Sequence, residues 1–156
     1  MPNRLARAIL TVVPNGRKTV LHVGCGPADP LRLHCSFREA DWRVLRLDTN
    51  PAVAPDIVAS ATEMPMVADG SVDAVWSQRA LDNLGPRQMP RALAEFRRVL
   101  DKDGFALLAL AEPHIAVATL RTALIEAGFA HVETWETASE LWAKAHKSVP
   151  AADIGA

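Results

Sequence analysis

Two short stretches carry the residue types that could do chemistry. The apolar run Val20-Leu21-His22-Val23 ends in Gly24-Cys25-Gly26, and the run Leu45-Arg46-Leu47 ends in Asp48. Glycines let a backbone approach a ligand closely, and an aspartate can accept both hydroxyls of a ribose. In an open parallel sheet, runs of this kind are neighbouring strands whose C-terminal ends flank one crevice. The pair outlines an adenosine site. Other groups signal less. His114 follows Glu112-Pro113 at the end of a later apolar run, on the same rim, and reads either as a base or substrate contact or as a loop residue. Arg79 and Asp82 lie near that rim and either pair at i, i+3 on a short helix or face a substrate. Cys25 reads as a small packing residue rather than an activated thiolate. Cys25 and Cys35 have no CxxC spacing, and His34, His131 and His146 share no ligand spacing, so neither a disulfide nor a metal site is expected.

The elements that must position these groups follow from periodicity and punctuation. Asn3–Val12 places Leu5, Ala8, Ile9 and Val12 at helical spacing, and Pro14-Asn15-Gly16 then turns the chain. Thr19–Val23 and Arg43–Leu47 are the first two strands. Between them, Pro27 and Pro30 allow only a short or irregular helix near 31–37. After Asp48, Pro51 and Pro55 exclude a full helix, so Asp56–Ala59 is a short parallel edge strand reached by an extended loop. Ser71–Ser77 is the fourth strand, with Trp76 in the core, and Gln78–Leu84 a short helix. Arg87–Leu100 is the best helix, with Met89, Leu93, Phe96 and Leu100 in one stripe and Arg97 and Arg98 on its solvated face. Asp101-Lys102-Asp103-Gly104 ends it. Phe105–Leu110 is a strand, Val117–Ala127 a helix stopped by Gly128, and Ala130–Thr137 with Glu140–His146 a closing pair packed by Trp135 and Trp142.

The bulk numbers bound what these elements build. A chain of 156 residues with 49% hydrophobic and 22% charged residues fits one globular domain, 1–156. A net charge of -1 argues against general attraction to nucleic acid or to an anionic membrane. The run Ala8–Val13 is too short to span a bilayer, and the chain reads as soluble and cytoplasmic.

Taken in order, VLHVGCG, RLDTNP, ATEMP, DGSVDAVWSQRALDNL, PRALAEFRRVLDKDGFALLAL and LIEAGFAHVE resemble a small class I S-adenosylmethionine-dependent methyltransferase of the type 11 group, over most of residues 19–135. The resemblance implies an α/β, Rossmann-like doubly wound sheet of seven strands. Its order would be 3-2-1-4-5-7-6 with strand 7 antiparallel, here with the helix between strands 2 and 3 missing. It implies S-adenosylmethionine as cofactor. Gly24, Cys25, Gly26 and the chain to Ala28 would wrap the methionine part and the sugar. Asp48 would hold the ribose hydroxyls, with Thr49 covering the adenine. Ser60, Ala61 and Thr62 would edge the adenine ring, and Ser77 and Gln78 would lie beneath the sulfonium. The chain departs from the family at His22, where an acid often helps to recognise the methionine ammonium; a neutral imidazole can still accept one hydrogen bond there. It departs also at Ala28, in place of a third glycine, at Ser60, where an aspartate commonly reads the adenine amino group, and at Arg79, where histidine is frequent.

Methyl transfer is an in-line displacement at an activated carbon, with a neutral leaving thioether. Alignment and exclusion of water do most of the work, and no obligatory catalytic residue is implied. The acceptor is unidentified. The segments that usually wall an acceptor pocket are short here: residues 1–18 before the first strand and 111–116 after the fifth. A homodimer completing the pocket, a large acceptor on an open rim, and a non-catalytic protein of the same fold that acts through cofactor or protein binding are the alternatives. A dinucleotide oxidoreductase ranks low, because Gly24-x-Gly26-x-x-Asp29 lacks the final small residue of that fingerprint.

Overall fold

In the computed structural model, which describes residues 17–111 and 115–150, the apolar runs form a seven-stranded sheet of order β3-β2-β1-β4-β5-β7-β6. The strands are β1 (Lys18–Val23), β2 (Trp42–Asp48), β3 (Ile57–Val58), β4 (Val72–Gln78), β5 (Leu100–Ala111), β6 (His131–Glu136) and β7 (Glu140–His146). β7 runs antiparallel to both of its neighbours, and the other pairs are parallel. Fold, order and orientation are those expected from the sequence. The helix expected over residues 3–12 and His114 lie outside the described residues.

The two α-helices among the described residues, α1 (Gln88–Val99) and α2 (Val117–Glu126), pack on one face of the sheet. α1 buries Met89, Ala92, Leu93, Phe96 and Val99 against Leu21, Val23 and Val75. A fully buried leucine or phenylalanine of this kind contributes about 1.5–3 kcal/mol. Strand alternation turns Val20, Ala74, Trp76, Leu107 and Ala109 to the opposite face, where Phe37 and Leu33 cover them in place of a helix.

Among the described residues that second face carries no α-helix, for local reasons. Between β1 and β2 the chain makes two single 3-10 turns, Pro30–Arg32 and Cys35–Phe37, so the short helix expected near 31–37 is broken in two. Asp29 caps the first turn by accepting from the Leu31 N–H, and His34 Nδ1 caps the second by accepting from the Ser36 N–H. Between β2 and β3 there is one 3-10 turn, Pro51–Val53, as the prolines require.

Three further expectations are corrected. The helix expected over Gln78–Leu84 contracts to a 3-10 turn at Leu81–Asn83, because Arg79 adopts a left-handed φ of 59° that interrupts it. Residues 101–104 do not form a separate turn after α1. β5 starts at Leu100, opposite Val72, and resumes register at Phe105 opposite Ala74, so they form a bulge. Gly104 is required there, since a Cβ would sit 2.9 Å from the Asp73 carbonyl oxygen. Arg98 is no solvated charge. It donates to the carbonyls of Met64 (2.9 Å) and Val67 (2.8 Å) and pairs with Asp69 and Glu95, both at 2.7 Å. Glu95 in turn accepts from the Met64 N–H at 2.7 Å. With no helix in residues 59–71, the backbone groups there need partners, and α1 supplies them through these two side chains.

Candidate functional site

The C-terminal ends of β1, β2 and β4 converge on a crevice of about 370 Å³, in the range of small-molecule sites. The glycine turn forms one wall. Gly24 and Gly26 take φ of 67° and 61°, and a side chain at 24 would collide with the Ala80 Cβ. The N–H groups of Gly24 and Cys25 both donate to the Leu47 carbonyl, at 2.9 and 3.1 Å. The Gly26 N–H donates to Asp48 Oδ2, and the Asn50 N–H to Oδ1, each at 2.9 Å. Asp48 is thus fixed between two strand ends. Each of its oxygens keeps a lone pair for a further donor.

Arg46 holds the other side of this turn. Its guanidinium donates to the carbonyls of Gly26 (2.6 Å), Val53 (3.1 Å) and Ala54 (2.8 Å). One side chain in the middle of β2 thereby ties the glycine turn to the loop that replaces the helix after β2.

At the β4 end, Gln78 Nε2 and Arg79 Nε both donate to Glu140 Oε2, at 3.2 and 3.3 Å. Glu140 is nearly buried, so these two donors offset the desolvation of its carboxylate. Arg79 therefore does not pair with Asp82, which accepts from the Ala111 N–H instead.

The residues expected at the site divide by position. Gly24, Asp48, Thr49, Ser60, Ala61 and Gln78 line the crevice. Ser60 Oγ sits 2.8 Å from Thr62 Oγ1 and accepts from the Thr62 N–H, so Thr62 stands one step behind it. Ser77 is buried, and its hydroxyl has no partner among the described residues. A second cavity of about 390 Å³ is lined by His22, Cys25, Ala28, Leu33, Val44 and Arg46, and Gly26 bonds to a residue of each, to Asp48 through its N–H and to Arg46 through its carbonyl. His22, Cys25 and Ala28 thus line a different cavity from Asp48 and Ser60, while the Asp48 charge still reaches His22 and Cys25. Burial, with the charges of Arg46 and Arg32 next, lowers the His22 pKa from 6.5 to about 4. The imidazole is neutral at pH 7. Burial also pushes the Cys25 thiol up, which leaves it unreactive.

Sequence reasoning did not find Arg32, Ala80, Asn83 and Leu84, which also line the crevice. The sequence points to a short or irregular helix near 31–37, and nothing local to it says which way Arg32 points. Among the described residues, no group of three or more His, Cys, Asp or Glu is placed to hold a metal ion, and no helix is long and apolar enough to cross a membrane.

Residues 21–108 match the family described as a methyltransferase domain. No curated protein matches the sequence. Among solved structures, the chain resembles a TehB-like S-adenosylmethionine-dependent methyltransferase from Corynebacterium glutamicum, at 20% identity and a TM-score of 0.68, over 92% of this chain and 86% of that one. It also resembles the 1,6-didemethyltoxoflavin-N1-methyltransferase of Burkholderia thailandensis, solved with 1,6-didemethyltoxoflavin and S-adenosylhomocysteine, at 17% identity and 0.65, over 94% and 78%. A third is an S-adenosylmethionine-dependent methyltransferase from Methanosarcina mazei, at 16% and 0.64, over 86% and 94%. At these identities the likeness is one of fold.

Proposed function

Because the chain belongs to the methyltransferase-domain family, whose cofactor is S-adenosylmethionine, we propose that it transfers a methyl group from that cofactor to an acceptor within a single domain. The observation that carries this reading is the crevice at the ends of β1, β2 and β4, where the Gly24–Gly26 turn is bonded directly to the Asp48 carboxylate. The residues present fit the cofactor. Asp48 retains two acceptor positions for a ribose diol. Leu47, Ala59, Ala61 and Leu84 offer apolar wall for a purine, and Gly24 lets Ala80 close in beside the turn on the crevice wall. Ser77, next to the crevice-lining Gln78, is buried with a hydroxyl that has no partner among the described residues.

When bound, the cofactor would supply a methyl carbon already activated by its sulfonium, with Asp48 and the Gly24–Gly26 turn holding it. The chain's own task is positional. Arg46 and Asp48 hold the glycine turn, Glu140 holds Gln78 and Arg79 at the β4 rim, and the neutral His22 avoids adding a cation near the turn. A second copy completing the acceptor side belongs to the same proposal and is checked by sedimentation with and without ligand.

Thermal stability against S-adenosylmethionine, S-adenosylhomocysteine and NADH tests the reading. A ligand at a hundredfold over its Kd adds about 2.7 kcal/mol. Stabilisation by the first two alone is expected, and Asp48→Ala should remove it. A folded sample that responds to none of them ends the enzymatic reading. A response unchanged in Asp48→Ala would show that the ribose binds elsewhere.

A further inference from the structure

The charges that line the crevice are not all matched. Asp48 accepts two backbone N–H groups, and Arg79 pairs with the carboxylate of Glu140. The Arg32 guanidinium lines the same crevice and has no hydrogen bond or ion pair among the described residues. Its backbone, by contrast, is held at both ends of its turn: Asp29 caps the turn at Leu31, and Trp76 Nε1 donates to the Arg32 carbonyl at 2.9 Å. The side chain folds over the glycine turn. Its Nη1 lies 2.7 Å and its Cζ 3.1 Å from where a Cβ on Gly26 would stand. Glycine at 26 therefore admits a cation beside the turn.

We propose that Arg32 is the receptor for the α-carboxylate at the methionine end of the cofactor. The proposal rests on the cofactor reading of the crevice given above. The chemistry leaves little choice of ligand group. The sulfonium and the ammonium are cations and are repelled by a guanidinium, and the ribose diol has Asp48. The carboxylate is the cofactor's only anion, and a guanidinium matches it with two parallel N–H donors. Arg32 and Asp48 on either side of Gly26 then read the two ends of one molecule.

The test compares S-adenosylmethionine with its decarboxylated form, which differs only in the carboxylate, by calorimetric titration of wild type and Arg32→Ala. A hydrogen bond to a charged group predicts that wild type prefers the carboxylated ligand by about ten- to a hundredfold. Arg32→Ala should lose that preference while binding the decarboxylated ligand as wild type does, and Arg32→Lys should keep part of it. Equal binding of both ligands by wild type overturns the proposal, as does a preference retained in Arg32→Ala; the latter would assign the guanidinium to an anionic acceptor. Equal losses for both ligands would make Arg32 a general support of the turn and also overturn it. Binding of neither ligand by folded wild type removes the cofactor reading itself, a result distinct from all of these.

Discussion

Replacing His22 with glutamine should remove a pH dependence of folding that the structure assigns to one side chain. His22 is 5% exposed, between Val20 and Val23 on β1, and its pKa falls from 6.5 to about 4. The causes are burial first, then the positive charges of Arg46 and Arg32, opposed by Asp48. A group whose folded pKa is depressed binds its proton more tightly when unfolded. Above pH 6.5 the imidazole is neutral in both states, and its contribution is fully present. As pH falls from 6.5 towards 4 the unfolded chain takes up a proton that the folded chain refuses, and stability is lost. One pKa unit corresponds to about 1.4 kcal/mol, so wild type should lose about 2.5 kcal/mol by pH 4.5 relative to pH 7.5. The assay is urea unfolding of wild type and His22→Gln at half-unit steps between those limits. Subtracting the two curves cancels the other titrations, including that of Glu95. A difference that is flat across the window would refute the reasoning, since it would mean that the folded protein protonates His22 as readily as the unfolded chain.

Two further perturbations follow from side chains that stand in for missing helices. Arg46→Met leaves three carbonyls without their donor and should cost about 2–3 kcal/mol in urea unfolding; it should also weaken S-adenosylhomocysteine binding, because the Gly26 turn loses its anchor, and unchanged binding would show that Asp48 alone suffices. Arg98→Met should cost a similar amount, about 2–3 kcal/mol, by releasing Met64 and Val67. Arg98 holds the Glu95 carboxyl below its usual range, so wild type gains stability above the ordinary carboxylate pKa that is lost as pH falls through the depressed one. That acid-side loss should shrink in Arg98→Met.

Much of the fold was legible because local signals agreed with one another. The Met89–Phe96 stripe, the continuous apolar runs of β1 and β4, and the prolines at 27, 30, 51 and 55 each state one thing, and tertiary packing does not contradict them. The bulge at 101–104 was not legible. It arises because Val72 pairs with Leu100 while Ala74 pairs with Phe105, and that register belongs to two strands at once. The role of Arg98 was hidden for a similar reason: a guanidinium on a polar helix face looks solvated until the facing loop proves to have no helix of its own. At the site, glycine and aspartate types are readable as a pair because their backbone consequences are local. Strand alternation puts residue 22 on the face opposite Leu21 and Val23, in register with Arg46, so that His22 feels the charges of both Arg46 and Asp48. The backbone of Arg32 is held by Trp76, 44 residues away in sequence, a contact no local signal announces.

The indoles on the helix-poor face give the protein an optical property. The sequence has four tryptophans and no tyrosine, so its near-ultraviolet absorption and emission belong almost wholly to indole. Trp76, Trp142 and Trp135 form a ladder, with ring centroids 5.7 and 5.9 Å apart and planes inclined by 23° and 14°. Rings so close and so nearly parallel share their excitations, and the near-ultraviolet circular dichroism should carry a coupled band that vanishes when the middle rung, Trp142, is removed. The inner rung, Trp76, is bonded to the Arg32 carbonyl and lies 6.3 Å from the His22 ring. The ladder therefore ends at the two groups whose states matter most, and occupancy of the crevice and protonation of His22 can both be followed in the unlabelled protein by its own light.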